Sequence, residues 1–366
     1  MSTYSVTLQT NTGNVLLQSL PFVEGEYTLV ERDIGTLSLS LPPTIPSSYL
    51  QKDGRILLRP SYGGSSQIEG DATWLIRSVR QVLSNRERRI EVKAVHANHL
   101  LTRRIVAYAS STAQASKSGA ADDLMKDIVT ENFVSPTDTT RTMSGISVAS
   151  DLTAGPTIAK SFSRRNVLAV LQDMADAAAA LGTYLGFEVR TVGASLVFLT
   201  YTQQRGADRR ATSGNYLRVS PSTGGIADSA YDQDWTDEAT FVYSLGQGER
   251  EDRAIGTAQN TAAEGLSPFG RVEDSYQANQ STSQAQLDDD ASSALYDRRA
   301  LIRYEATSQE APGFIYGVNY QWGDFLTVSD FGAQFDVRVN PVNVRFGRDG
   351  VQVQNKFVYD NTGLAV

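Results

Sequence analysis

Leu37, Leu39 and Leu41 alternate with Ser38 and Ser40 in the run GTLSLSLP, which has the two-residue period of a strand with one buried face and one wet face. The pattern recurs through the first hundred residues, in GNVLLQSLPF, GRILLRPSY, ATWLIRSVRQVLS and RRIEVKAVHANHLL. Gly25, Pro42–Pro43, Gly54, Gly63–Gly64 and the polar tip SNRERR punctuate these runs as turns. It returns at the end of the chain in IRYEATS, GVNYQWGDFLTVSD, FDVRVNPVNVRFG and GVQVQNKFVYD. The short strands of the first hundred residues, with their tight turns, point to a small barrel or sandwich, and the end of the chain repeats that β-rich character.

Helical periodicity interrupts this pattern. Ala120, Leu124 and Ile128, with Ala121, Met125 and Val129 beside them, form one apolar stripe. A second stripe runs through Val167, Leu171, Met174, Ala178 and Leu181, with Ser163 as the expected N-cap and Gly182 as the stop. A third covers Leu287, Ala291, Ala294 or Leu295, and Arg298; its early acids and late arginines suit the helix dipole. Ser135 to Asp151 reads as a polar loop, and TYLGFEVRTVGASLVFLTY as a hairpin turning at Val192-Gly193-Ala194. The expected fold class is α+β and β-rich, with two β modules around an α+β unit.

Composition removes several functions. The chain has no cysteine, which excludes disulfides, thiolate nucleophiles and cysteine zinc sites. Its 33 basic and 41 acidic residues give a net charge of -8, the wrong sign for a protein that binds nucleic acid through a basic surface. The start, MSTYSVTLQT, has neither a basic leader nor an apolar core, so no secretion signal is expected, and no run approaches a membrane span.

The motifs that could carry chemistry each favour a structural reading. FVYSLGQGEREDRAI carries Gly246 and Gly248, but a phosphate cradle needs glycines that open a helix. Glu249, Glu251 and Asp252 would repel a phosphate, so a strand turning at its glycines is expected. His96 and His99 lack further metal ligands nearby and read as a structural pair at a strand end. Asp232 and Asp234, and Asp288 to Asp290 at a helix start, could be paired hydrolytic carboxylates. Asp232, Asp234, Asp237 and Glu238 could hold calcium but lack the glycine and terminal glutamate of a calcium loop, so solvated charge is the expectation. Trp322 and Trp74 are expected in the core, and Trp235 as a lid packed over a neighbouring element. Arg86, Arg88, Arg89, Arg103 and Arg104 cluster as interface residues would, because the planar guanidinium suits ion pairs between subunits.

Taken in order, IEVKAVHANHLLTRRIV, AADDLMKDIVTEN, LGQGEREDRAI, FGRVEDSYQA, LYDRRALIRYEA and YGVNYQWGDFLTV resemble the tail-tip hub proteins of long-tailed bacteriophages, over roughly Ile90 to the C-terminus. The resemblance implies a contractile-phage-like hub with barrel domains at 1–108 (completed by 239–256) and 257–366, and an inserted α+β domain at 109–238. It implies a homotrimer whose six barrels mimic a sixfold tail tube, made in the host cytoplasm and sited at the virion tail tip. Its partners would be the distal tail protein or tube ring, the tape-measure protein and a tip or fibre protein, with genomic DNA only in transit. It implies no enzyme activity, cofactor or metal, and the chain's stop at Val366 speaks against a built-in wall hydrolase. Under this reading Glu249, Arg250, Glu251, Asp252 and Arg253 lie at an interface or line the bore, where fixed negative charge repels DNA. The rival readings are a wall-degrading or a carbohydrate-binding tail module.

Overall fold

The structure is a computed structural model that describes residues 4–360, apart from 61–67, 85, 108–113, 194, 249–251, 282 and 349. The first unit is built from strands β1 (Tyr4–Gln9), β2 (Val15–Leu17), β3 (Glu24–Leu29), β4 (Thr36–Leu41), β5 (Arg55–Pro60), β6 (Trp74–Ser84) and β7 (Glu87–His96). In register, Leu37, Leu39 and Leu41 of β4 stand opposite Ala94, Val92 and Ile90 of β7. All six are buried, so the leucine–serine alternation sets which face enters the core.

The middle unit contains β8 (Ala115–Ala120), α1 (Ala121–Val129), β9 (Ile146–Val148), β10 (Thr157–Phe162), α2 (Val167–Ala180), β11 (Leu185–Val192) and β12 (Ser195–Thr202). The stripe of α1 is buried as its spacing requires. The helix starts only at Ala121, because the residues before it pair with β10 as a strand. Helix α2 is capped by Asn166 rather than Ser163: its Oδ1 accepts from the Leu168 amide at 3.0 Å, and its Nδ2 donates to the Thr102 carbonyl at 2.8 Å. One side chain thus both caps the helix and ties it to the first unit. Gly182 ends the helix region at φ +81°, a conformation that favours glycine. The hairpin of β11 and β12 turns at Gly193, and Ala194 lies outside the described residues. The expected loop from Ser135 to Asp151 holds β9, which pairs in parallel with β12.

The remaining elements are β13 (Asp208–Arg209), β14 (Ile226–Asp234), β15 (Phe241–Leu245), β16 (Ile255–Gln259), the single turn α3 (Thr261–Glu264), β17 (Glu273–Gln277), α4 (Gln284–Asp297), β18 (Leu301–Ser308), β19 (Phe325–Asp330), β20 (Ala333–Gly347) and β21 (Gly350–Asp360). The strands from both chain ends join one sheet, in the order β14-β18-β21-β20-β3-β4-β7-β6-β5-β1-β2. Strand β20 makes that join. Its first half pairs with β19 from Ala333 to Arg338, and its second half pairs with β3 from Val342 to Gly347. Its register on β21 slips between Val339 and Val342, where the strand changes partners.

The fold is therefore α+β and β-rich, but none of the sheets closes into a barrel among the described residues. The two β-rich ends share one continuous core running from Tyr4 to Phe357, while the middle unit packs a second core around α1 and α2. The strand Phe241–Leu245 does not rejoin the N-terminal strands. It forms a separate sheet between β16 and β17, with α4 packed over it.

Candidate assembly interface

The hairpin of β6 and β7 outruns the sheet that carries it. Strand β5 pairs with β6 only through Arg55–Leu75 and Ile56–Trp74. Strand β4 pairs with β7 only as far as Ile90. From Ser78 to Ser84, β6 therefore presents an outer edge with no strand beside it among the described residues. Along this stretch Val79 and Leu83 are exposed, Leu83 by 66%. Arg86, Arg88 and Arg89 sit at the exposed tip. Arg89 is held by Glu91 of its own strand at 2.8 Å, and Arg80 approaches the same carboxylate at 3.7 Å.

Arg103 and Arg104 belong elsewhere. Arg103 grips Asp53 with both nitrogens, at 2.6 and 2.9 Å, and Arg77 shares that carboxylate at 2.6 Å. Burial opposes the charge on Asp53, but the two guanidinium groups outweigh it and hold its carboxyl below the usual carboxylate range. Arg104 donates to the Arg141 carbonyl at 3.0 and 3.2 Å and to the Arg103 carbonyl at 3.0 Å. These two arginines fasten the chain to itself. Their partners lie 50 and 37 residues away in sequence, which local reading cannot reach.

The glycine loop is a hairpin. The Gly246 amide donates to the Ala254 carbonyl at 2.8 Å, and the Ala254 amide to the Gln247 carbonyl at 3.1 Å. Gly248 has φ +104°, and a Cβ there would lie 2.5 Å from the Asp252 carbonyl oxygen. The strands on either side, β15 and β16, pair antiparallel from Phe241–Gln259 to Leu245–Ile255. Arg253 braces the turn by donating to the Gly246 carbonyl at 3.1 Å and to Gln277 at 2.6 Å, and Asp252 is exposed. Glu249, Arg250 and Glu251 lie outside the described residues.

The carboxylates considered for hydrolysis have structural settings. Asp289 accepts from the Ala159 amide at 2.8 Å, and Asp290 accepts from Lys160 at 3.2 Å and from Ser281, so the start of α4 is bolted to β10. Beside this contact a polar cleft of about 560 Å³ holds Asp173, Asp176 and Asp297. Burial raises the pKa of Asp176 and Asp297 despite nearby arginines. Asp173 is paired with Arg165 in the cleft's wall, and Asp176 with Arg32 outside it at 3.3 Å. Asp232 and Asp234 lie on β14, not in a loop, and Trp235 is 55% exposed rather than packed as a lid. Among the described residues no group of His, Asp or Glu side chains is arranged to hold a metal ion, and no helix is long and apolar enough to cross a membrane.

His96 is a core residue. Its ring meets Trp74 edge-on at 5.9 Å and Trp322 at 6.5 Å, and both tryptophans are buried as expected. Burial, with the nearby Arg205 charge, lowers its pKa to about 3.

Sequence reading missed β14. Among the described residues this nine-residue strand pairs with β18 on one side only, and nearly all of it is exposed. Among the described residues the sheet thus has one bare edge on its terminal strand β14 and another along the overhanging half of the interior strand β6. Leu266 and Phe269, at 85% and 88% exposure, add an apolar tip on the loop after α3.

The described residues thus form an open, β-rich α+β structure with two unpaired strand edges. The profile of the siphovirus ReqiPepy6 Gp37-like protein family matches residues 16–357, and the chain belongs to that family. Its fold is that of phage tail proteins. The tail protein from Neisseria meningitidis MC58 superposes with a TM-score of 0.59 at 14% identity, covering 99% of this chain and 97% of the other. The 43 kDa tail protein of prophage MuSo2 from Shewanella oneidensis gives 0.59 at 10% identity, covering 99% of each. The prophage tail protein gp18 from Listeria monocytogenes EGD-e gives 0.56 at 10% identity, covering 98% and 94%. No curated protein matches the sequence. The resemblance drawn from the sequence thus holds at the level of family and fold.

Proposed function

We propose that this protein is a non-enzymatic structural component of the virion tail tip, three copies of which form a ring joining the sixfold tail tube to a threefold tip. The observation that carries this reading is the open sheet: a fold shared with tail proteins over nearly its whole length leaves strand edges on β14 and on the overhang of β6 unpaired among the described residues. Long bare edges recruit other chains and are covered in stable assemblies.

Each copy brings two β units, one centred on β3, β4 and β7 and one on β18, β20 and β21, joined where β20 changes partners. Three copies would place six such units around an axis, matching the repeat of a tube ring. The neighbours in this reading are the distal tail protein or tube ring, the tape-measure protein and a tip or fibre protein. Genomic DNA passes through the bore, and the acidic balance of the chain keeps it from adhering.

Sedimentation or native mass measurement of the full chain tests the proposal. Three copies per particle, with a threefold ring in averaged images, is the expected result. A monomer at the highest attainable concentration overturns it.

A further inference from the structure

The two bare edges have opposite charge. The hairpin carries Arg80, Arg86, Arg88 and Arg89 against Glu87 and Glu91, so it stays net positive although Glu91 holds Arg89 and Asp53 engages Arg77. Between Ile226 and Glu238, β14 and its continuation carry Asp228, Asp232, Asp234, Asp237 and Glu238, with no basic residue. Both edges also expose apolar groups that solvent-facing strands ordinarily avoid: Val79 and Leu83 on β6, Tyr231 and Trp235 at β14.

Resting on the ring reading above, we propose that the edge of β6 from Ser78 to Ser84 pairs with the edge of β14 in the next copy, so that the sheet continues from one subunit into the other. Other pairings bring like charges together. Joining β6 to β6 sets Arg80 and the arginine tip against their own copies, and joining β14 to β14 does the same for Asp228, Asp232 and Asp234. Joining β6 to β14 matches arginines with aspartates and lets Leu83 and Trp235 leave water. Such a contact uses different patches on the two partners, which generates a ring rather than a twofold dimer. The hairpin reaches past its own sheet on both sides, which gives it room to lie along a neighbour.

The absence of cysteine allows a clean test. Gln81 and Ala230 stand near the middle of the two edges and are exposed, so each is replaced singly, as Gln81→Cys and Ala230→Cys. Treated with a short bis-maleimide, a mixture of the two variants should give covalent dimers. Neither variant should do so alone. Dimers from either variant alone overturn the proposal, as does a mixture that assembles to three copies without cross-linking, which leaves the ring reading standing. A mixture that stays monomeric overturns both. As a second readout, Arg80→Glu with Arg88→Glu should raise the concentration for half-assembly roughly tenfold or more. Adding Asp232→Arg and Asp234→Arg should restore it, and failure to restore counts against the pairing.

Discussion

The guanidinium of Arg205 lies 4.1 Å from the centre of the Trp322 ring, while its Nε donates to the buried Glu188 carboxylate at 2.9 Å. Its Nη2 also donates to the Gly70 carbonyl at 2.7 Å. Three parts of the chain meet at this one side chain: the loop before β6, strand β11 of the middle unit, and the turn before β19. Burial opposes its charge, but Glu188 outweighs that cost and raises its pKa, so Arg205 is always protonated. Arg205→Met leaves the buried Glu188 with only the more distant Arg190, at 3.9 Å, and should destabilise the fold by about 3 kcal/mol. The double variant Arg205→Met/Glu188→Met should recover much of that loss, because no charge is then stranded. Urea unfolding of the two single variants and the double variant checks this; additive losses would mean that the pair does not act as a unit.

Asn98 is the second staple between units. Its Nδ2 donates to the Asp33 carbonyl at 2.9 Å, and its Oδ1 accepts from the Val189 amide at 2.7 Å. The residue is buried, so Asn98→Ala leaves two polar groups without partners and should cost about 2 kcal/mol or more. Hydrogen exchange at the Val189 amide should quicken in this variant more than exchange within β4. Equal protection at both places would show that Asn98 does not hold the units together.

The pattern of burial was legible in the sequence where it depends on neighbours along the chain. The alternation of β4, the stripe of α1, the hairpin at Gly193 and the two core tryptophans all follow from local periodicity and residue size. What the sequence hid depends on distant partners. Arg103 reads as an interface arginine until Asp53, 50 residues away, is seen to accept both its nitrogens. The change of partners within β20 cannot be read from its alternation, because one strand serves two neighbours with the same pattern. Strand β14 was hidden for the opposite reason. With both faces exposed it has no buried face, and its aspartates read as loop charge.

His96 should leave a signature in acid. Its folded pKa of about 3 lies below the ordinary value of 6.5, so the unfolded chain binds the proton more readily between these limits. The stability it contributes is complete above pH 6.5 and is lost as pH falls toward 3. His96→Gln removes the titrating group, so the loss of stability between pH 6.5 and 4 should be shallower by about one proton per molecule than in the parent. Unfolding midpoints measured across that range test this. Parallel curves for the two proteins would place the ring in water rather than between Trp74 and Trp322.

Helix α4 rests directly on the backbone of β16. A Cβ at Gly256 would stand 2.5 Å from the carbonyl carbon of Leu287 and 2.6 Å from its oxygen, and neither atom can swing aside as a side chain could. At Gly246 the nearest obstacle is the flexible end of the Leu287 side chain, at 2.9 Å, so that site has more freedom to adjust. Gly256→Ala should therefore lift α4 from its sheet and cost about 1–3 kcal/mol, as overfilled cores do. Because Asp289 and Asp290 bolt the same helix to Ala159 and Lys160, the displacement should also loosen the middle unit. Gly214→Ala serves as the control: it meets nothing within 4 Å and should stay within about 0.5 kcal/mol of the parent. Thermal unfolding of both variants decides the matter, and equal stability would mean that α4 is not seated on Gly256.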